Sequence, residues 1–183
     1  LAARIHDIGK VGVPSEILTK PGRLTEAELA LVRTHAELGG QLLRQVDFPE
    51  RVQDIVRHHH ERLDGSGYPD GLTGAELSIG TRIVAVADVA EAVASRRPYR
   101  AARGVHAAMQ VLAEESGAHL DPAVVAVLVR LLDEGRIVLH DDEHDPSSPS
   151  SGLVVKRAPD VPCPGAPLVV SRPRVAAGAS SSA

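Results

Sequence analysis

Apolar residues recur through the first three quarters of the chain at the three- and four-residue spacing of buried helix faces, with caps and breakers between the runs. Leu1 to about Lys10 reads as the end of a helix running into a loop, with Gly9 and Gly12 as breakers and a short turn from Pro14. The opening Leu1-Ala2-Ala3-Arg4-Ile5 has no cap and no initiator Met, so it reads as a helix interior and the chain as an N-terminally truncated fragment. Thr25-Glu26-Ala27-Glu28 is a capping box, and Leu29, Val32, His35, Ala36 and Leu42-Leu43 follow at helical spacing. Gly39-Gly40 weakens that helix but lets another backbone approach closely. A third helix, after Phe48-Pro49, carries Val52, Ile55, Val56 and His59 on one face. Asp64 to Gly74 holds four glycines and a proline and is loop. From about Ser78 a helix runs through Ile83, Val84, Ala87, Asp88 and Ala92 and ends before Arg97-Pro98. Two more are expected at about 104–115 and 121–134, the second with Asp121 as N-cap and Pro122 in its first turn.

Past residue 140 the pattern dissolves. Seven of the thirteen prolines and a Ser-Ser-Pro-Ser-Ser block fall there without sustained period, and Leu168-Val169-Val170 is too short to change the reading. The expected division is a helical domain over 1–138 and a Pro/Ser-rich disordered tail over 139–183.

Composition narrows the class. Hydrophobic residues make up 43% and aromatics 2%, so the core is built from Leu, Val, Ile and Ala, which favours helix-on-helix packing over a β-sandwich. A formal charge of −4 does not suit a duplex nucleic-acid binder. No apolar run approaches the roughly 18–20 residues of a membrane span. The single Cys163 cannot form an internal disulfide, which agrees with a cytoplasmic setting.

The chemistry concentrates in His and Asp. His58-His59-His60-Glu61 precedes Asp64-Gly65-Ser66-Gly67-Tyr68-Pro69, an earlier His6-Asp7 pair leads to Lys10, and Asp88 interrupts a small, apolar stretch. Imidazole nitrogen with carboxylate oxygen and no thiolate is the ligand set of divalent metals in hydrolytic sites. Adjacent residues of a helix point about 100° apart, so His6 and Asp7 share a target only if it sits at a helix end. Lys10 is one turn beyond His6, within reach of a phosphate held at the same place. Three consecutive histidines cannot all face one site. His58 is therefore expected to be exposed, while His59 and His60 ligate, oriented by Glu61 and the Asp-Gly turn. His35 alone would pass as a satisfied core histidine, and Asp88, buried among apolar neighbours, calls for a cationic partner. His106, His119, His140 and His144 read as incidental. The Gly67-Tyr68-Pro69 turn reads either as a tight loop or as a rim contacting substrate. Arg97 and Arg100 offer guanidinium groups to phosphate oxygens or to Asp64 and Asp70.

Taken together, His6-Asp7-Ile8-Gly9-Lys10, His59-His60-Glu61 with the Gly-Tyr-Pro turn, the Arg82-to-Asp88 segment and Arg97-Pro98-Tyr99-Arg100 resemble the HD-GYP branch of the HD metal-dependent phosphohydrolases, over about residues 1–135. The resemblance implies an all-α, HD-type helical bundle that hydrolyses cyclic di-GMP to pGpG or GMP with two or three iron or manganese ions. It makes His6, Asp7, His35, His59, His60 and Asp88 metal ligands, with Asp7 the bridge, Lys10 a phosphate contact, and Gly67, Tyr68 and Pro69 the signature loop. The partners it implies are a cyclic dinucleotide and a diguanylate cyclase domain or an upstream sensory or receiver domain. The sequence departs from the family in lacking the upstream helices that carry a further ligand, and in reading Asp88-Val89-Ala90-Glu91-Ala92 where a Phe and Asp are commoner. The rival readings are an HD phosphohydrolase acting on another nucleotide, and a non-catalytic module that binds cyclic di-GMP or a protein.

Overall fold

The computed structural model describes residues 1–46, 48, 50–95, 104–139 and 154–155. Its helices are α1 (Ala2–Ile5), a 3-10 segment (Ile8–Gly12), α2 (Ser15–Leu18), α3 (Glu26–Arg44), α4 (Glu50–His58), α5 (Ile79–Ala94), α6 (Gly104–Glu115) and α7 (Pro122–Asp133). The caps read from the sequence form as expected. Thr25 Oγ1 accepts from Glu28 N while the Glu28 carboxylate accepts from Thr25 N, Ser78 caps α5, and Asp121 accepts from Ala123 N and Val124 N. The turn after Pro14 is itself one turn of helix, α2.

The core lies in two separate clusters. Ala2, Leu43, Val52 and Val56 join α1, α3 and α4, with Ile5, Phe48 and Ile55 against them. On the other side Val86, Val89, Ala90, Val93 and Ala94 of α5 meet Ala108 and Leu112 of α6 and Val125 and Leu128 of α7, with Leu120 and Leu139. Aliphatic side chains of this size each contribute about 1.5–3 kcal/mol when fully buried. The helix faces differ in detail from the sequence reading: Leu42 is exposed, and α3 buries His35, Ala36, Gly39, Gly40 and Leu43 instead. Ile79 and Ile83 are exposed too, on the rim of an apolar groove of about 380 Å³ between α5 and α7.

Gly39 serves the close approach expected of it, and its counterpart is Gly9. A Cβ on Gly9 would stand 1.9 Å from the His35 carbonyl oxygen and 2.6 Å from Gly39 N, so the 3-10 segment lies directly on the α3 backbone. Neither obstacle is a flexible side-chain tip. Gly9→Ala is expected to cost about 3 kcal/mol, or roughly 6–12 °C in thermal midpoint, read by circular dichroism.

After α7, Ile137–Val138 (β1) pairs antiparallel with Val154–Val155 (β2), Ile137 opposite Val155. These two valines fall within the stretch expected as tail; the rest of 140–183 lies outside the described residues, as do Arg97 and Arg100.

Candidate metal centre

Six side chains meet where α1, the 3-10 segment, α3, the end of α4 and α5 come together. His6 is the C-cap of α1 and Asp7 the N-cap of the 3-10 segment, so the chain changes course between them. That corner removes the 100° divergence of a continuous helix: His6 Nε2 is 3.5 Å from Asp7 Oδ2. From the middle of α3, His35 Nε2 faces Asp7 Oδ1 at 3.3 Å and His59 Nε2 at 3.4 Å. Asp88 on α5 closes the ring, Oδ1 3.7 Å from His6 Nε2 and Oδ2 3.7 Å from His60 Nδ1. Two triads, His35-His59-His60 and His6-Asp7-His59, each hold their donor atoms within 4.8 Å of one another.

The chain fixes which nitrogen looks inward. Nδ1 of His6, His35 and His59 lies against the carbonyl oxygens of Ala3, Val32 and Val56 at 2.9, 2.7 and 2.7 Å. A carbonyl only accepts, so each Nδ1 carries the hydrogen and, in a neutral ring, each Nε2 presents a lone pair. The 3.4 Å approach of His35 Nε2 to His59 Nε2 then sets two lone pairs facing each other. A cation between them resolves that repulsion, which is the fit expected of a metal site.

The protonation states agree. Burial pushes His35 down and His59 down to about 4. His60 moves the same way, through burial and the neighbouring His59. At His6 burial is the largest influence, yet the contact with Asp88 and the charge of Asp7 outweigh it and raise the pKa. Burial also presses Asp7 and Asp88 upward; the Lys10 hydrogen bond overrides it at Asp7, and His6 and the neighbouring imidazoles override it at Asp88, so both are held low. At neutral pH three imidazoles are therefore neutral and both carboxylates ionised, the forms that ligate. Lys10 Nζ donates to Asp7 Oδ2 at 2.5 Å, so its ammonium is already at the cluster edge.

Beside the cluster, the Tyr68 ring stacks on His60 with centroids 4.8 Å apart and planes 26° apart. Gly67 makes this possible, because a Cβ there would lie 2.3 Å from Glu61 Cα. Glu61 does not orient the histidines as the sequence suggested. Its fully buried carboxylate accepts the backbone N–H groups of Asp70, Gly71 and Leu72 at 2.7, 3.0 and 3.1 Å, and so clamps the loop. His58 does stand apart from the cluster, but it is half-buried and joins Asp54 and Asp70 at 2.9 and 2.8 Å. Asp70 also takes a two-pronged Arg57 pair, both bonds 2.7 Å. Asp64 accepts from Ser66 N and Oγ. Arg82 ties the loop's far end to α7 through the Gly74 carbonyl and Asp121.

A family model described as "HD domain" matches residues 1–124. The chain belongs to the HD domain family. Its His6-Asp7 pair and Gly67-Tyr68-Pro69 turn are those of the HD-GYP branch, as the sequence led one to expect. Membership implies divalent metal binding, and the donor cluster offers a possible His/Asp site for it.

Among relatives, the HD domain is 45% identical over 132 residues to "Cyclic di-GMP phosphodiesterase response regulator RpfG" of Xanthomonas campestris pv. campestris, covering 71% of this chain and 35% of that protein. It is 45% identical over 133 residues to "Cyclic di-GMP phosphodiesterase PA4108" of Pseudomonas aeruginosa, covering 71% and 31%. A "3'3'-cGAMP-specific phosphodiesterase 3" of Vibrio cholerae is 42% identical over 131 residues, covering 72% and 28%. The chain thus spans about a third of the length of these curated relatives. Among the described residues no helix is long and apolar enough to cross a membrane.

Proposed function

We propose that this HD domain is a metal-dependent phosphodiesterase that hydrolyses cyclic di-GMP to pGpG or GMP in the bacterial cytoplasm. The observation that carries the reading is the convergence of six nitrogen and oxygen donors beside a clamped Gly-Tyr-Pro loop. His6, Asp7, His35, His59, His60 and Asp88 are the proposed ligands of two or three ions, iron or manganese. Such ions supply an activated water at neutral pH and charge compensation at phosphorus.

Asp7 is proposed as the bridging ligand, since one of its oxygens faces His35 and the other faces His6. Lys10 uses one of its three N–H donors on Asp7 and has others for a non-bridging phosphate oxygen, whose charge grows as the bond breaks. Gly67, Tyr68 and Pro69 form the substrate-side rim, and Arg97 and Arg100 are proposed as further phosphate contacts. The proposed partner beyond the dinucleotide is a diguanylate cyclase domain or a sensory or receiver domain. Cyclic GMP-AMP is the second substrate reading, favoured by the specificity in the name of the Vibrio relative.

The test is direct. The chain is loaded anaerobically with ferrous iron or manganese, bound metal is counted, and products from cyclic di-GMP and 3'3'-cGAMP are separated by chromatography. Cleavage of cyclic di-GMP with two or three ions bound is the expected result. Metal uptake with preferential cleavage of the mixed dinucleotide would move the assignment to that substrate. Metal uptake without cleavage of either would favour a binding module.

A further inference from the structure

We infer that Arg33 on α3 is a substrate-binding residue that selects diesters carrying a second phosphate, an assignment that rests on the cyclic dinucleotide reading of the same site. Its guanidinium carbon stands 5.3 Å from the centroid of the Tyr68 ring, the ring that stacks on His60. One aromatic side chain therefore separates this cation from the donor cluster. Ion pairing within α3 does not dictate the placement. Glu37, one turn further on and the ordinary partner, faces Arg57 at 3.6 Å instead, and no carboxylate among the described residues pairs with Arg33.

A guanidinium resting on an aromatic face uses only its π surface. The N–H edge stays available and matches two oxygens of a phosphate. Arg33 is exposed, so that edge is in reach of a ligand at the site mouth. Arg62 brings a second positive charge to the same loop, its guanidinium donating to the Glu61 carbonyl at 3.3 Å.

A cyclic dinucleotide carries two phosphodiesters on one sugar–phosphate ring. With one at the donor cluster and Lys10, the ring holds the other away from the cluster, toward the rim. Arg33 is a cation placed on that side, against the Tyr68 ring. A substrate with a single diester has nothing for it to bind.

The experiment compares R33Q and R33K with the parent chain, all manganese-loaded, on cyclic di-GMP and on bis(p-nitrophenyl) phosphate, which has one diester only. In R33Q the KM for cyclic di-GMP is expected to rise about ten-fold with kcat changed by less than about two-fold, and preference over the single diester to fall by about the same factor. R33K, which keeps the charge and loses the fork, is expected to fall between the two. Equal losses on both substrates, or a fall in kcat alone, would overturn the assignment and leave Arg33 as a support for Tyr68. A parent chain that cleaves the single diester and not cyclic di-GMP would refute the substrate reading itself, and this assignment with it.

Discussion

Asp7→Ala is expected to lower cyclic di-GMP cleavage by at least ~10³-fold while leaving the helical circular dichroism spectrum unchanged. The carboxylate occupies a place no neighbour can fill: Oδ1 looks at His35, and Oδ2 at both His6 and Lys10. Its removal leaves the imidazoles in position, because their Nδ1 hydrogen bonds run to the carbonyls of Ala3, Val32 and Val56 rather than to Asp7. Helicity therefore survives. What is lost is the group that faces His6 with one oxygen and His35 with the other. A second readout separates binding from turnover. An ion at a hundred times its dissociation constant stabilises a fold by about 2.7 kcal/mol, so metal is expected to raise the parent's thermal midpoint by roughly 5–10 °C. In Asp7→Ala that rise shrinks. Undiminished turnover, or an undiminished metal-induced rise, would remove Asp7 from the ligand set.

Glu61→Ala is expected to be the most destabilising of the loop substitutions, by about 3–5 kcal/mol, because three backbone N–H groups lose at once the acceptor that a buried carboxylate gives them. Midpoints from thermal denaturation measure the loss. Glu61→Gln keeps one acceptor oxygen but turns an amide NH₂ toward donors, so it recovers only part of the stability. The effect extends to chemistry. Residues 70–72 hang from this carboxylate, and Gly67 and Tyr68 precede them on the same loop. With the clamp gone, the Tyr68 ring loses its fixed seat on His60, and turnover is expected to drop about ten-fold at temperatures where the variant is folded. A variant as stable as the parent would show that the loop holds itself.

The contrast between Asp7 and Glu61 shows what a single sequence discloses. Helices with local signals were legible: the Thr25–Glu28 box and the Asp121-Pro122 start each lie within four residues of what they cap. His6, Asp7, His59, His60 and Asp88 were legible as candidate donors through residue type and position, His35 only in their company, and the structure brings the six together. Glu61 was misread because its partners are backbone N–H groups nine to eleven residues onward, where no side-chain pattern announces them. Arg33 was silent for a related reason. An arginine on an exposed helix face looks the same whether it pairs with Glu37 or turns to a tyrosine 35 residues away in sequence. His58 fell between: its exclusion from the cluster follows from geometry, while its tie to Asp70 depends on how the loop folds back.

The two-part core has a consequence for how such a domain fails. Five of the six donors belong to the half built from α1, the 3-10 segment, α3 and α4, and the sixth, Asp88, belongs to the half built on α5, α6 and α7. Ions held between the two halves would be rivets through two plates. Chelation would then do more than silence a reaction: it would uncouple the plates, so that the halves melt on separate schedules where the riveted domain melts as one.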